Sequence, residues 1–250
     1  MRRVLLITGA SAGIGAATAL KAAEAGYDLA LNYHSNLAGA EAVAAEAGTI
    51  GARVILCPGD VANPGDIADI FARIDEGFAR LDGLVNNAGV VDQVAKVTDF
   101  THARLRRMFD INVIGAMLIA KEAVLRMQAQ VRSGGTGGAI VNVSSAAARL
   151  GSGNTFVDYA ASKAAIDTFT KGLSDEVAPD GIRVNAVRPG IIKTDIHAKS
   201  GAAERVAEIA PVIPLRRSGS AGEVADTILY LLSDQASYVT GTTLDVTGGR

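Results

Sequence analysis

What this chain has little of narrows its possibilities quickly. It holds one cysteine, Cys57, which can close no disulfide within the chain. That excludes a disulfide-stapled scaffold and points to a reducing compartment. Cys57 ends the run Arg53-Val54-Ile55-Leu56-Cys57, the setting of a buried and inert thiol. The three histidines, His34, His102 and His197, are scattered and lack ligand spacing, so no metal site is expected. A formal charge of −2 leaves no basic footprint for nucleic acid. No stretch reaches the roughly 18 apolar residues of a membrane span. The nearest, 113–120, contains Gly115 and runs into Lys121-Glu122. Between Met1-Arg2-Arg3 and Thr8-Gly9 lie only four large apolar residues, too few for a signal-peptide core. A cytoplasmic protein with no membrane contact is expected.

Linkers and repeats are missing as well. Ser133-Gly134-Gly135-Thr136-Gly137-Gly138 has the composition of a linker, but it leads straight into an apolar run and reads as a flexible surface turn. With 49% hydrophobic residues and no tryptophan, the 250-residue chain has ample material for a core. One domain over 1–250 is expected. Short β-branched runs at Val4–Thr8, Asp28–Tyr33, Arg53–Pro58, Gly83–Asn86, Ala139–Val143, Ile182–Val187 and Thr243–Val246 alternate with segments of helical period. Ile67, Ile70, Phe71, Ile74 and Phe78 share one helical face, as do Ile166, Phe169, Leu173 and Val177. Continuous apolar strands alternating with helices predict an α/β Rossmann fold: a doubly wound parallel sheet of about seven strands, covered on both sides. Residues 190–215, with Pro189-Gly190 at one end and Pro211 and Pro214 at the other, are irregular and read as a substrate lid.

Two stretches carry chemistry. The first, Thr8-Gly9-Ala10-Ser11-Ala12-Gly13-Ile14-Gly15, follows the apolar run Val4-Leu5-Leu6-Ile7 and opens an Ala-rich helix. Glycines permit a sharp turn and close approach of a ligand, while a helix start offers free N–H groups and a positive dipole end to a pyrophosphate. Gly15 would let that helix pack closely on the sheet. The competing reading is a glycine-rich turn capped by Ser11. An NAD-preferring fold usually ends its second strand with an acid that binds the ribose hydroxyls. Here that strand runs Asp28-Leu29-Ala30-Leu31-Asn32-Tyr33-His34-Ser35-Asn36, with its acid at the wrong end. An uncharged, hydrogen-bonding terminus tolerates a 2′-phosphate, so NADP(H) is the expected cofactor, with NAD(H) possible. Asn32, His34, Ser35 and Asn36 are candidate contacts, against a merely solvated loop for His34.

The second stretch is Ser144-Ser145 followed by Tyr159-Ala160-Ala161-Ser162-Lys163. Tyr159 and Lys163 are i and i+4 and share a helical face. An ammonium, together with the positive ring of an oxidised nicotinamide, would favour the phenolate and lower a pKa that is ordinarily near 10. That suits a general acid in reduction and a general base in oxidation. Ser145 could donate to the substrate oxygen as charge builds there, with Ser144 the alternative.

These stretches, with Asp60-Val61, Asn86-Asn87-Ala88-Gly89, Asn112 and Pro189-Gly190 through Thr194, occur in an order that resembles the short-chain dehydrogenases/reductases over the whole chain. The resemblance is to bacterial NADP-dependent members of the glucose-dehydrogenase-like and 3-oxoacyl-carrier-protein-reductase-like kinds. It implies roles. Asp60 would bind the adenine amino group, with the Val61 backbone beside it. Asn86, Ala88 and Gly89 would line the adenine ribose. Tyr159 would be the acid/base, Lys163 would bind the nicotinamide ribose, Ser145 would orient the substrate oxygen, and Asn112 would hold a water in a proton relay. Ile192 and Thr194, after Pro189-Gly190, would fix the carboxamide. The chain departs at Ala12, where a basic residue would mark NADP preference, and in a Ser145–Tyr159 interval one residue longer than expected. The resemblance also suggests a homotetramer, and the last strand, Thr243–Val246, is a natural interface element.

The substrate is expected to be a small carbonyl compound or alcohol. Arg149 could clamp an anionic group on it, or form a salt bridge, for instance to Asp158. His197 could line the lid or lie in solvent. A rival reading from another class is a regulator that senses NAD(P) without turnover. The retention of Asn112, Ser145, Tyr159 and Lys163 argues against it. An epimerase or dehydratase would need a longer C-terminal substrate region than this chain has.

Overall fold

The computed structural model describes residues 2–193 and 210–250. Seven strands form one all-parallel sheet: β1 (Arg3–Ile7), β2 (Tyr27–Tyr33), β3 (Val54–Pro58), β4 (Gly83–Asn86), β5 (Ala139–Val143), β6 (Arg183–Pro189) and β7 (Thr243–Val246). Their order across the sheet is β3-β2-β1-β4-β5-β6-β7. The helices among the described residues are α1 (Gly13–Glu24), α2 (Leu37–Thr49), α3 (Pro64–Gly77), α4 (His102–Phe109), α5 (Ala116–Arg132), α6 (Ala147–Leu150), α7 (Val157–Val177) and α8 (Ala221–Leu232). All seven strands expected from the sequence are present, with ends moved by at most two residues.

The strands are apolar on both sides because each side has its own core. Along β1, Leu5 and Ile7 face a cluster that includes Ala19, Ala22 and Ala23 of α1, Val43 of α2 and Val224, Ile228 and Leu231 of α8. Val4 and Leu6 face the opposite way, onto Ile67, Ile70, Phe71 and Ile74 of α3 and Ile119, Ala123 and Met127 of α5. That is the two-residue alternation of a sheet covered on both faces. Phe78 is buried with the α3 face, but α3 has already ended and Phe78 is extended backbone there.

The Ser133–Gly138 segment is an exposed turn over 133–136, and only its last two glycines are packed. A side chain at Gly137 would reach 2.3 Å from the Gly181 carbonyl, and one at Gly138 would reach 2.6 Å from the Met127 sulfur. These two glycines let two backbones and a core methionine meet closely where the turn enters β5. Of the 190–215 segment, Ile192 bridges Gly219, and 210–212 form a 3-10 turn. Thr194 and His197 lie outside the described residues.

Strand order reverses between β1 and β4, where connections lead to opposite halves of the sheet. A crevice opens beyond the carboxyl ends of the strands at such a switch point. The chemistry-bearing segments converge there: the glycine loop after β1, His34-Ser35 after β2, Asp60 after β3, Ala88-Gly89 after β4, Ser145 after β5 and Gly190 after β6.

Candidate active site

The loop after β1 turns at Gly9 (φ +63°) and Gly13 (φ +57°), a left-handed region that a side chain would strain. A side chain at Gly15 would stand 2.4 Å from the Gly9 carbonyl and 2.6 Å from Asn87 Nδ2. Gly15 thus seats α1 against its own loop and the β4 loop, a tighter contact than helix on sheet. Thr8 and Asn87 lock the two loops together. Thr8 Oγ1 accepts from the Asn87 and Ala88 amides at 2.9 Å, and Asn87 Nδ2 donates to the Thr8 and Gly9 carbonyls. Ala12 stands at the N-cap of α1 with no capping side chain and no acid in the first turn, so the competing reading of a turn capped by Ser11 is not what forms. Its open N–H groups, near Ser11, Gly13 and Ile14, carry the positive end of the dipole.

The β2 end divides the expected contacts. Asn32 is 2% exposed, and its amide is spent inside the protein. Its Oδ1 accepts from the Gly9 amide, and its Nδ2 donates to the Cys57 and Gly59 carbonyls. Asn32 is therefore corrected from a phosphate contact to a pin that ties the glycine loop to β2 and β3. Asn36 caps α2 and donates to the Ser11 carbonyl. His34 and Ser35 are exposed. Asp28, at the opposite end of the strand, accepts from the Arg53 amide.

Asp60 accepts from the Ala62 amide, while its own amide donates to Asp66. Val61 is buried, with its carbonyl where a side chain at Gly115 would have to go. Asn86 faces inward, donating to the Ala116 carbonyl at 2.7 Å and to Asn142 at 3.3 Å. Asn142 in turn donates to Thr170. Ala88 and Gly89 form the half-buried lip above it. Pro189 accepts from the Ala146 amide, Gly190 lies tight on Thr247, and Ile192 is buried.

Tyr159 and Lys163 rise from the first two turns of α7, with the Lys163 ammonium 5.8 Å from the Tyr159 ring centroid. Lys163 is buried and donates to the Val143 carbonyl at 2.8 Å. Burial pushes its pKa down to about 8, with Asp167 pulling the other way. Without the positive ring of a bound cofactor, Tyr159 is not acidified by its neighbour alone. Burial raises it above its ordinary value, and hydrogen bonding with the Ser145 hydroxyl opposes that rise. Ser144 is buried and donates to the Lys163 carbonyl, whereas the half-buried Ser145 Oγ accepts from the Ala147 amide. Of the two serines, Ser145 is the one beside the phenol.

Asn112 sits in a π turn, Asp110–Gly115, between α4 and α5. Its Oδ1 accepts from the Val90 amide at 2.8 Å, and its Nδ2 donates to the Val90 carbonyl and to Ser162 Oγ. Single π turns of this kind often mark functional sites. Another support was invisible in the sequence. Arg104 of α4 pairs with the wholly buried Asp158 carboxylate at 2.7 Å and donates to the Gln93 carbonyl, tying the start of α7 to the loop after β4. Asp158 is thus not the partner of Arg149. Arg149 donates to the Arg250 carbonyl and lies 3.7 Å from Asp245. Cys57 is buried, and its thiol is pushed up to about 12. Among the described residues no cluster could hold a metal ion, and no helix is long and apolar enough to cross a membrane.

The crevice fits a dinucleotide on its own geometry. Side chains are excluded where a pyrophosphate would approach, the α1 amides are open, and a phenol, a hydroxyl and an ammonium stand on the far side. Fold and site together define a nicotinamide-dependent oxidoreductase. The family described as Enoyl-(Acyl carrier protein) reductase matches residues 9–250, and the chain belongs to the short-chain dehydrogenases/reductases. It is 48% identical to the uncharacterized oxidoreductase YgfF of Escherichia coli, over 99% of each chain. It is 37% identical to the L-rhamnose 1-dehydrogenase (NAD(P)(+)) of a Sphingomonas species, over 99% of this chain and 95% of that one. A crystal structure of a short-chain type dehydrogenase/reductase from Mycobacterium marinum superposes with a TM-score of 0.92 at 34% identity, covering 99% and 94%.

Proposed function

We propose that the protein transfers a hydride between NADP(H) and a carbonyl compound or secondary alcohol, with Tyr159 as general acid/base. The observation that carries this is the grouping of Tyr159, Ser145 and Lys163 opposite an open glycine loop at the switch point of the sheet. The bound nicotinamide supplies or accepts the hydride. The protein's own groups handle the proton and the charge. Burial keeps the Tyr159 phenol protonated near neutral pH, ready to donate to a carbonyl oxygen. The Ser145 hydroxyl stands beside it to donate to that oxygen as charge develops. Lys163 holds a cation at the site and would bind the nicotinamide ribose. Asn112 would hold the relay water, its side chain braced by Val90 and Ser162.

Gly9, Ser11, Gly13, Ile14 and Gly15 would hold the pyrophosphate. Asp60, Val61, Asn86, Ala88 and Gly89 would hold the adenosine end, directly or through the loops they brace. Pro189, Gly190, Ile192 and Thr194 would hold the carboxamide end. The NADP(H) preference is supported by the exposed His34 and Ser35 at a β2 end that carries no acid. The buried thiol suits the cytoplasm. Leu244 and Tyr238, exposed at and beside β7, suit an assembly of four copies, which light scattering would test.

The central test is Tyr159→Phe. Turnover is expected to fall at least about a thousandfold, within the span of a lost acid/base, while NADPH affinity is unchanged. A screen of NADPH oxidation over ketones, ketoacyl and enoyl thioesters, quinones and sugars would identify the substrate class. Wild-type turnover by the phenylalanine variant would refute the assignment, and binding without turnover of any compound would favour the sensor reading.

A further inference from the structure

The main chain of Tyr159 is held at both ends by buried side chains. Its amide donates to Asp158 Oδ1 at 2.9 Å, and its carbonyl accepts from the Ser162 hydroxyl at 2.7 Å. Each holder is itself held. Asn112 of the π turn donates to Ser162 Oγ at 3.1 Å and clasps the Val90 amide and carbonyl. Arg104, in the first turn of α4, makes the corresponding reach to Asp158. Its Nε donates to Oδ2 at 2.7 Å and its Nη2 to Oδ1 at 3.3 Å, while its Nη1 donates to the Gln93 carbonyl at 2.8 Å. Two parallel clamps therefore run from the loop after β4 to Tyr159. One passes through Asn112 and Ser162, the other through Arg104 and Asp158. Only the first includes a residue given a role above.

The second clamp supplies direction more than adhesion. The Asp158 side chain is 0% exposed and that of Arg104 11%. Apolar residues of similar volume often stabilise such a place as well as a buried ion pair does. They lack the planar fork, which fixes a carboxylate at both oxygens. The guanidinium is steadied in turn by the Phe100 ring, whose centroid is 4.9 Å away. Direction matters here because α7 starts without a capping side chain, leaving its first amides with no partner in the helix. Asp158 gives the Tyr159 amide an acceptor, and Arg104 keeps that acceptor from turning away. The residue that bears the phenol is thereby fixed in the first turn. The other buried pair on this helix, Asp167 with Arg188 of β6 at 2.9 Å, holds it further along, away from that turn.

We propose that Arg104 is a positioning residue for the reaction: through Asp158 it sets where the Tyr159 main chain, and so the phenol, stands against Ser145 and the loop after β4. The proposal rests on the assignment of Tyr159 made above. Residues 90–93 anchor both clamps, so a substrate resting on that loop is held in register with the group that gives it a proton.

Removing Arg104 alone would strand a buried carboxylate and unfold the helix start, so the test removes the pair. The double variant Arg104→Met/Asp158→Leu keeps the volume and loses the fork. Arg104→Lys keeps the charge and loses the second and third bonds. Reduction is followed with NADPH and the fastest carbonyl compound of the screen above. In the double variant kcat is expected to fall about 100-fold, the effect of a displacement of about 1 Å. KM and NADPH affinity are expected to stay within about threefold, and heat stability close to wild type. Arg104→Lys is expected to lose about tenfold in kcat, with the same split. Both changes are then repeated in Tyr159→Phe, where they are expected to lower the residual rate by less than about twofold, because the group they position is gone. Unchanged kcat in the folded double variant overturns the proposal. So does a loss that recurs at full size in Tyr159→Phe, which would show that Arg104 acts on something other than the phenol. If the double variant does not fold, Arg104→Lys is judged by the same two criteria. Wild-type turnover by Tyr159→Phe with Arg104 intact overturns the assignment of Tyr159 and the proposal with it, a failure told apart from the others because it appears before Arg104 is touched.

Discussion

The two sides of the crevice are built on opposite plans. On the nucleotide side, after β1 to β3, polar side chains are spent on the protein: Thr8, Asn32 and the exposed Asn36 all bond to main-chain groups, and Asn87 of the β4 loop braces them. At the glycine loop what faces the ligand is bare backbone and missing Cβ atoms. On the catalytic side, after β4 to β6, side chains themselves do the facing, and buried charge braces them through Arg104–Asp158 and Asp167–Arg188. The nucleotide side should therefore tolerate changes of chemistry and reject added volume, and the catalytic side should do the reverse.

The largest expected effect breaks this contrast or confirms it at one methyl group. In Gly15→Ala the new carbon meets the Gly9 carbonyl backbone, so the loop must shift. NADPH affinity is expected to fall by about 100-fold or more by fluorescence titration, an amount a 1 Å displacement can cause. In Ser145→Ala affinity should stay within about twofold while kcat falls by roughly 100-fold, the effect of losing one donor to a developing oxyanion. Equal losses of affinity in both variants would end the distinction.

The next effect is a matter of sign. Because burial holds Tyr159 above its ordinary pKa, the phenol is protonated through neutrality. Reduction, which needs the acid, should be nearly flat from about pH 6 to 7 and decline as pH approaches the Lys163 value of about 8. Alcohol oxidation, which needs the phenolate, should rise about tenfold per unit over the same range. A falling oxidation profile would place the titrating base elsewhere. The smallest expected effect belongs to the exposed end of β2. His34→Ala should weaken NADPH by a few-fold at most, the scale of one exposed hydrogen bond, and leave NADH unchanged. A preference for NADH in the wild type would reverse the reading of that end.

The contrast also explains what the sequence disclosed. Strands buried on both faces write themselves as apolar runs, so all seven could be read to within two residues, and the glycine loop and the Tyr159–Lys163 pair are local patterns. The Arg104–Asp158 and Asp167–Arg188 pairs join residues 54 and 21 apart, and no local period announces them. Asn32 sits in a strand like any other polar residue. Only the neighbouring loops reveal that its amide is already committed. The i, i+4 rule correctly put an ammonium near the phenol but carried no information on burial, which outweighs it for Tyr159. Asn112 was singled out only by resemblance, because a π turn leaves no signature in an apolar helix.

That π turn has a consequence for anyone shortening or stiffening the protein. Deleting one residue from 110–115 would let α4 and α5 run on as an ordinary rod, with regular hydrogen bonds restored. Everything before the deletion would swing by about 100° about the axis relative to everything after it. The carboxamide now clamped on Val90 would point away from α7. The same swing would carry Arg104 of α4 away from the wholly buried Asp158, so the shortened chain would lose both its relay group and the brace at the start of α7.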